Sequence, residues 1–145
     1  MRKVLAASLF LALAPASPSV MSADISPGLW EILMETRVPA DPGFTPPQHK
    51  ITQCISPQDA KEPGALFSQM GTPGATDCRY SDRNYHEGNT FTFAMKCAGT
   101  LAIRSNGKVA FTPETMNGTI NAFANVGSQE VETQSKIVAR RVGGC

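Results

Sequence analysis

Hydrophobic and polar residues alternate along several segments of this chain, beginning with residues 29–38. One face of that segment carries Trp30, Ile32, Met34, Thr36 and Val38. A period of two is typical of a β-strand that is buried on one side. Leu29 and Leu33 interrupt the otherwise polar face. The segment Leu29–Val38 is therefore predicted to be a strand with one apolar side and one mixed side.

A proline-rich segment, Pro39–Pro47, follows this strand and carries four prolines. Proline has no backbone N–H to contribute to a sheet, so this segment is predicted to be a loop. A second strand is predicted over Gln48–Ile55. Ser56-Pro57 then favours a helix start, because serine caps free amide groups and proline suits the first helical position. A second helical turn is predicted over Ala65–Met70, with its apolar residues covering the sheet.

The segment from Cys78 to Cys97 is predicted to be a β-hairpin with a cysteine at each foot. A four-residue loop, His86–Asn89, makes Tyr85 and Thr90 the closing pair and places the two cysteines opposite each other. In that register they form a non-hydrogen-bonded pair, in which side chains approach most closely. A two-residue loop at Glu87-Gly88 would keep the same partners but make the cysteine pair hydrogen-bonded, which suits a disulfide less well, so the longer loop or a bulge is favoured. Closing this loop with a disulfide should stabilise the fold by roughly 3 kcal/mol.

Asn106-Gly107 is the strongest local turn signal in the chain. Asn-Gly suits the type I′ turn of a tight hairpin. The signal predicts that Leu101–Arg104 pairs with Val109–Thr112.

The last predicted hairpin pairs Thr115–Ala124 with Glu130–Arg141 and turns near Val126-Gly127. In this register Met116 lies opposite Ile137, Gly118 opposite Ser135, Ile120 opposite Thr133, and Ala122 opposite Val131. One face is then apolar and the other polar, as a sheet with one wet side requires. Several inward residues are small, so a curled sheet is expected to leave a groove there. The alternative is that the helical turn or larger neighbours fill this space.

The first 23 residues are predicted to be a secretory signal peptide. Arg2 and Lys3 precede an apolar run, Val4–Ala14, and a stretch of small residues follows it. The run is shorter than the roughly 18–20 residues that cross a bilayer, so no transmembrane segment is expected. Without residues 1–23 the chain has 11 basic and 12 acidic residues, and no block of like charge that would indicate nucleic-acid binding. Residues 24–145 are predicted to form one domain.

All four cysteines lie after the predicted signal peptide: Cys54, Cys78, Cys97 and Cys145. An even number of cysteines in an exported domain favours two disulfides. The hairpin register pairs Cys78 with Cys97, which leaves Cys54 for Cys145, although spacing alone leaves the other two connectivities open. The predicted fold is all-β: a curved antiparallel meander or partly closed barrel of about seven strands, with one short helical segment and two disulfides.

Several motifs together resemble a known bacterial family. They are Pro27-Gly28-Leu29-Trp30-Glu31, Cys54 after the proline-rich loop, Cys78 and Cys97 around a hairpin, and the ending Arg141-Val142-Gly143-Gly144-Cys145. This combination resembles the family catalogued as domain of unknown function 3617, over essentially the whole chain after the signal peptide. The resemblance implies export from a bacterial cell and the use of four cysteines. It brings no activity and no catalytic residues.

The sequence carries no recognisable catalytic or metal-binding motif. His49 and His86 are its only histidines, and a zinc site would need three or four clustered ligands. His86 is more simply a solvated turn residue. A Cys54–His49 nucleophile is less plausible than a disulfide in an oxidising compartment. Neither a cofactor nor an enzymatic activity is expected.

We expect a non-catalytic binding module, located in the periplasm or secreted, for a small apolar or lipid-like ligand. The residues predicted to face that ligand are Trp30, Ile32, Met34, Gly118, Ile120 and Ser135. The alternative is a protein-interaction or envelope-structural module, whose partner would be an envelope protein bound at an exposed edge strand or at the loop 39–47.

Overall fold

A single antiparallel sheet of seven strands dominates the computed structural model, which describes residues 25–69, 76–86 and 89–145. The strands are β1 (Gly28–Arg37), β2 (His49–Ile55), β3 (Thr76–His86), β4 (Thr90–Ala98), β5 (Arg104–Phe111), β6 (Thr115–Val126) and β7 (Gln129–Gly143). Their spatial order is β2-β1-β7-β6-β5-β4-β3. The sheet is open, with β2 and β3 at its edges, so the all-β meander is confirmed without closure. The predicted signal peptide, residues 1–23, lies outside the described residues.

The connection between β2 and β3 joins the two edges of the sheet and therefore has to cross one of its faces. It contains a 3-10 turn (Asp59–Lys61) and a short helix, α1 (Ala65–Gln69). The Ser56 hydroxyl accepts a hydrogen bond from the Asp59 N–H at 3.1 Å, which is the capping role predicted for this serine. Leu66 and Phe67 are buried against the sheet, as expected. Met70, also predicted to cover the sheet, lies outside the described residues.

The face beneath this connection, which we call the inner face, holds the hydrophobic core. Trp30, Phe91 and Val109 have no exposed surface there. Phe67 of α1 stacks on Phe93, with ring centroids 5.8 Å apart, and Phe93 stacks on Phe91 at 5.5 Å. Burying a large apolar side chain contributes roughly 1.5–3 kcal/mol each, so this covered face supplies most of the driving force for folding.

The predicted Asn106-Gly107 turn is wrong, because β5 runs straight through both residues. Gly107 lies between Phe93 and Ile120 in the ladder, and a Cβ atom added to it would lie 2.6 Å from the Phe93 ring. The glycine therefore makes room for a core aromatic ring rather than forming a turn. The chain turns earlier, at residues 99–103, where Gly99 has a φ of +109°.

The register predicted for the last hairpin is wrong by two residues. Met116 lies opposite Ala139 rather than Ile137, because the turn is tight and Val126 pairs with Gln129. Gly127 has a φ of +64°, which a two-residue hairpin turn requires. A shift of two residues leaves every side chain on its predicted face. Gly118 lies opposite Ile137, Ile120 opposite Ser135, and Ala122 opposite Thr133.

The hairpin of β3 and β4 follows its predicted register only at the foot. At the tip Tyr85 pairs with Phe91, not Thr90, and His86 belongs to the strand rather than to the loop. The register shifts between Tyr80 and Asp82, as a bulge would produce, and this gives Tyr80 and Arg79 their predicted partners. A second shift lies between Thr76 and Arg79, around Cys78.

Both disulfides are present as predicted. Cys78 is bonded to Cys97 across the hairpin, and Cys54 of β2 is bonded to Cys145 at the end of the chain. Their sequence separations are 19 and 91 residues. In the chain-entropy model the longer loop gives the larger stabilisation, about 4–5 kcal/mol against about 3 kcal/mol. The second bridge therefore ties the edge strand β2 to the residues that follow β7, on the far side of β1.

Candidate functional site

A cavity among the described residues lies on the opposite, outer face, beneath the β1–β2 loop. Its volume is about 640 Å³, and a second cavity of about 130 Å³ adjoins it. Glu35, Gln48 and Lys136 line both cavities, so we treat the two as one outer groove. The remaining lining residues are Leu33, Thr36, Arg37, Thr45, Pro46 and Val138.

The floor of the outer groove is made by neighbouring positions on β1 and β7. Leu33 lies opposite Val138, and Glu35 lies opposite Lys136. Val138 retains 38% of its surface exposed, although it is a large apolar side chain. The floor is therefore an apolar pair followed by a charged pair.

The wall of the outer groove is the loop of residues 38–48. Two backbone hydrogen bonds hold its turn, from Asp41 N–H to the Val38 carbonyl and from Phe44 N–H to the Asp41 carbonyl, both 3.0 Å long. Gln48 Nε2 donates to Glu35 Oε1 at 2.8 Å, which attaches the loop to the groove floor. Since prolines keep this segment out of the sheet, the loop stands beside the strands and leaves a cavity.

The charges in the outer groove are unequal. Arg37 and Lys136 form no ion pair with any described residue, whereas the single acid, Glu35, is hydrogen-bonded by the Gln48 amide. No Lys136–Glu35 ion pair forms, even though the two residues lie opposite each other in the ladder. The lining thus has one net positive charge and two cationic groups available to a ligand.

A cluster of ion pairs around Glu31 lies at the end of the apolar floor that is farther from the loop. Glu31 contacts Lys50 Nζ at 2.6 Å and Arg140 Nη2 at 3.2 Å. The hydrogen bond from Lys50 lowers the Glu31 pKa, and Arg140 adds to that effect, while desolvation opposes it. The groove floor therefore changes from charged to apolar to charged along β1.

The six residues predicted to face a ligand lie together on the inner face instead. Trp30 and Ile32 are core residues, while Met34 and Ile120 are partly buried against the core. Gly118 lies against Val109, whose Cγ2 would be 2.7 Å from an added Cβ. The Ser135 and Thr36 hydroxyls are hydrogen-bonded at 2.9 Å. Leu66 and Phe67 belong to the same hydrophobic core as Trp30 and Ile32, and ligand contact at the six residues stays a prediction.

Sequence reasoning missed the outer groove, although one signal for it was visible. Leu33 breaks the polar face of the first strand, and Val138 breaks the polar face of the last. Two such apolar residues on a solvent-exposed face indicate a site only when the strand pairing places them opposite each other. Arg37 and Lys136 carry no such signal, because isolated cations are ordinary on a strand surface.

The two histidines lie on opposite edges of the sheet, His49 in β2 and His86 in β3. His86 Nε2 and Thr92 Oγ1 are hydrogen-bonded at 2.8 Å. Among residues 25–69, 76–86 and 89–145 no group of three or more His, Cys, Asp or Glu side chains is arranged to hold a metal ion. In the same residues, neither helix has the length and apolar character needed to cross a membrane.

Comparison with family models identifies a family that matches most of the chain. The model described as "Protein of unknown function (DUF3617)" matches residues 25–145, which is all of the chain that forms the sheet and its connections. The chain belongs to this family. The match confirms the resemblance inferred from the cysteines and the opening motif. No curated protein and no solved structure matches the chain significantly.

Proposed function

We propose that the protein is an exported, non-catalytic binding module that holds a small, lipid-like ligand in the outer groove. The observation that carries the proposal is the pair of half-buried Leu33 and exposed Val138, which lines the cavity of about 130 Å³ that adjoins the more polar cavity of about 640 Å³. Small-molecule sites usually occupy about 300–1,000 Å³ and combine an apolar lining with a few polar groups. The outer groove has both properties.

Two features support a periplasmic or secreted location. Both cysteine pairs are bonded, which is typical of proteins that fold in an oxidising compartment. The first 23 residues have the charged, apolar and small-residue segments of a signal peptide. A binding module in that compartment would meet lipids and other amphiphiles of the envelope.

The test is calorimetric titration with octyl phosphate below its micelle-forming concentration, using two matched valine variants. Val138 and Val142 are exposed valines of the same strand, β7, with 38% and 45% of their surface exposed, but only Val138 lines the groove. Val138→Asn should weaken binding about tenfold, because it replaces part of the apolar floor. Val142→Asn should leave the affinity unchanged. Absence of binding by the wild type, or equal loss in both variants, would contradict the proposal.

A second candidate function is protein interaction through the proline-rich loop or a sheet edge. The observation in its favour is Phe44, which is 55% exposed on that loop. β2 and β3 are unpaired edges that could accept another strand. A partner from the host envelope that co-purifies with the wild type and not with Phe44→Ala would support this function. Equal recovery with both proteins would count against the loop.

A further inference from the structure

We infer that the outer groove selects anionic amphiphiles with a short alkyl tail. This inference rests on the proposed function and specifies the ligand of the same site. The head is a carboxylate or phosphate group held between Arg37 and Lys136. The tail lies over Leu33 and Val138.

The position of the head follows from Arg37 and Lys136, the two groove cations that form no ion pair with the residues that the structure describes. Arg37 is two residues beyond Glu35 on the same face of β1, which places the Arg37 and Glu35 positions roughly 7 Å apart along the strand. Lys136 lies across the ladder from Glu35. Both cations line the larger cavity, so one anionic group between them can receive hydrogen bonds from the guanidinium and the ammonium.

The sign of the ligand charge follows from the net charge of the groove, in which Glu35 is the single acid. Its Oε1 atom already accepts a hydrogen bond from Gln48 Nε2 at 2.8 Å. A cationic ligand would have this single carboxylate as its partner and would lie beside two cations. Because the lining carries a net positive charge, an anion is favoured over a cation of the same size.

The length of the tail follows from the Glu31 ion pairs with Lys50 and Arg140. From the Glu31 position to the Glu35 position the strand rises four residues, or roughly 13 Å, and only Leu33 and Val138 are apolar within that span. A longer chain would have to cover the charged cluster and displace its water, which is costly. Affinity should therefore rise with chain length and then level off.

The experiment compares the head groups and the variants by calorimetric titration of the full protein. The probes are octyl phosphate, octyltrimethylammonium and inorganic phosphate. The variants are Lys136→Gln and Arg37→Gln, with Lys108→Gln as the matched control. Lys108 lies on the same outer face and in the same cross-strand row as Lys136, with Thr119 between them, but it does not line the groove.

Octyl phosphate should bind at least tenfold more tightly than either other probe. Each groove variant should lose about tenfold or more in octyl phosphate affinity, since hydrogen bonds to charged groups contribute about 1.5–3 kcal/mol. Lys108→Gln should retain the wild-type affinity. In a series from hexyl to dodecyl phosphate, the gain per methylene should disappear before dodecyl.

Three results would overturn the inference. Equal binding of octyl phosphate and octyltrimethylammonium, with no effect of the two groove variants, would refute head-group selection while leaving the proposed function intact. Inorganic phosphate that binds as tightly as octyl phosphate would reduce the site to a simple anion site. If no probe binds, both the inference and the proposed function fail.

Discussion

Strand β1 has apolar side chains on both faces of the sheet, and they are covered on one face and accessible on the other. On the inner face Trp30 is completely buried, whereas on the outer face Leu33 and its cross-strand partner Val138 lie on the floor of an open groove. Trp30, Leu33 and Val138 are all apolar side chains that favour burial. The difference lies in what covers them, and it separates a surface that stabilises the fold from a surface that is available to a ligand.

The topology explains why only one face is covered. Because β2 and β3 are the two edges of the open sheet, the connection between them has to pass over one face, and its described part lies on the inner one. On the outer face, the loop of residues 38–48 stands beside the strands and is attached through Gln48. The same short chain thus builds a core and leaves a groove on opposite sides of one strand.

Removing the large side chain on each side of β1 should give the largest contrast. Trp30→Ala should destabilise the protein by about 3–5 kcal/mol, since it leaves a cavity in a fully packed region. Leu33→Ala should cost less than about 1.5 kcal/mol, because its side chain is only partly buried. Urea unfolding followed by circular dichroism measures both values. Equal losses would show that the outer face is as tightly packed as the inner one.

Gly64 tests whether the connection is held closely against the inner face. An added Cβ would lie 2.5 Å from Phe91 Cζ and 2.8 Å from Tyr85 Oη. Gly64→Ala should therefore destabilise by about 1–3 kcal/mol through overpacking.

The matched control is Gly43 in the proline-rich loop, where the nearest atom to an added Cβ would be Asp41 Oδ1 at 3.6 Å. Gly43→Ala should leave the unfolding midpoint nearly unchanged. A stable Gly64→Ala protein would mean that the connection moves away from the sheet easily.

A smaller effect should appear at alkaline pH through Tyr85. Its hydroxyl accepts a hydrogen bond from the Gly64 N–H at 3.0 Å, while Tyr80 donates to the Gly64 carbonyl. Desolvation raises the Tyr85 pKa, and the charge of Glu62 adds to this, while the Gly64 hydrogen bond and Arg83 oppose it. A raised pKa in the folded state means that the stabilisation is complete below the unfolded value of about 10 and is lost as pH rises above it.

Unfolding free energies measured from pH 8 to pH 11 should therefore fall above about pH 10. Tyr85→Phe should show a shallower fall, because it removes one of the groups that ionise. An identical pH profile for the two proteins would show that the Tyr85 pKa is not raised in the folded state.

The strands could be predicted from sequence where one face of the strand is buried along its whole length, because the residues then alternate between apolar and polar. Alternation around Trp30 gave the first strand, and the faces of the last hairpin were right even though its register was two residues out. The turn predicted at Asn106-Gly107 was wrong because packing outweighed the local turn preference. The absence of a side chain at Gly107 makes room for Phe93. Local signals do not contain that non-local contact.

The outer groove could not be predicted for a related reason. Leu33 and Val138 are 105 positions apart in the chain numbering, and neither is unusual until β1 and β7 pair. The loop cavity depends on how four prolines hold residues 38–48 away from the strands, which alternation does not encode. The two disulfides, in contrast, were predicted correctly, because the register at the foot of one hairpin favoured the first pair and left Cys54 for Cys145.

The most direct test is to record which methyl groups lie next to a bound ligand. Intermolecular nuclear Overhauser effects between the alkyl chain of octyl phosphate and the protein methyls would distinguish the two sides of β1. The outer groove predicts contacts to Leu33 and Val138 and none to Ile32 or Ile120. Contacts to Ile120 and Met34 without any to Val138 would place the ligand on the inner face and contradict the outer groove as the binding site.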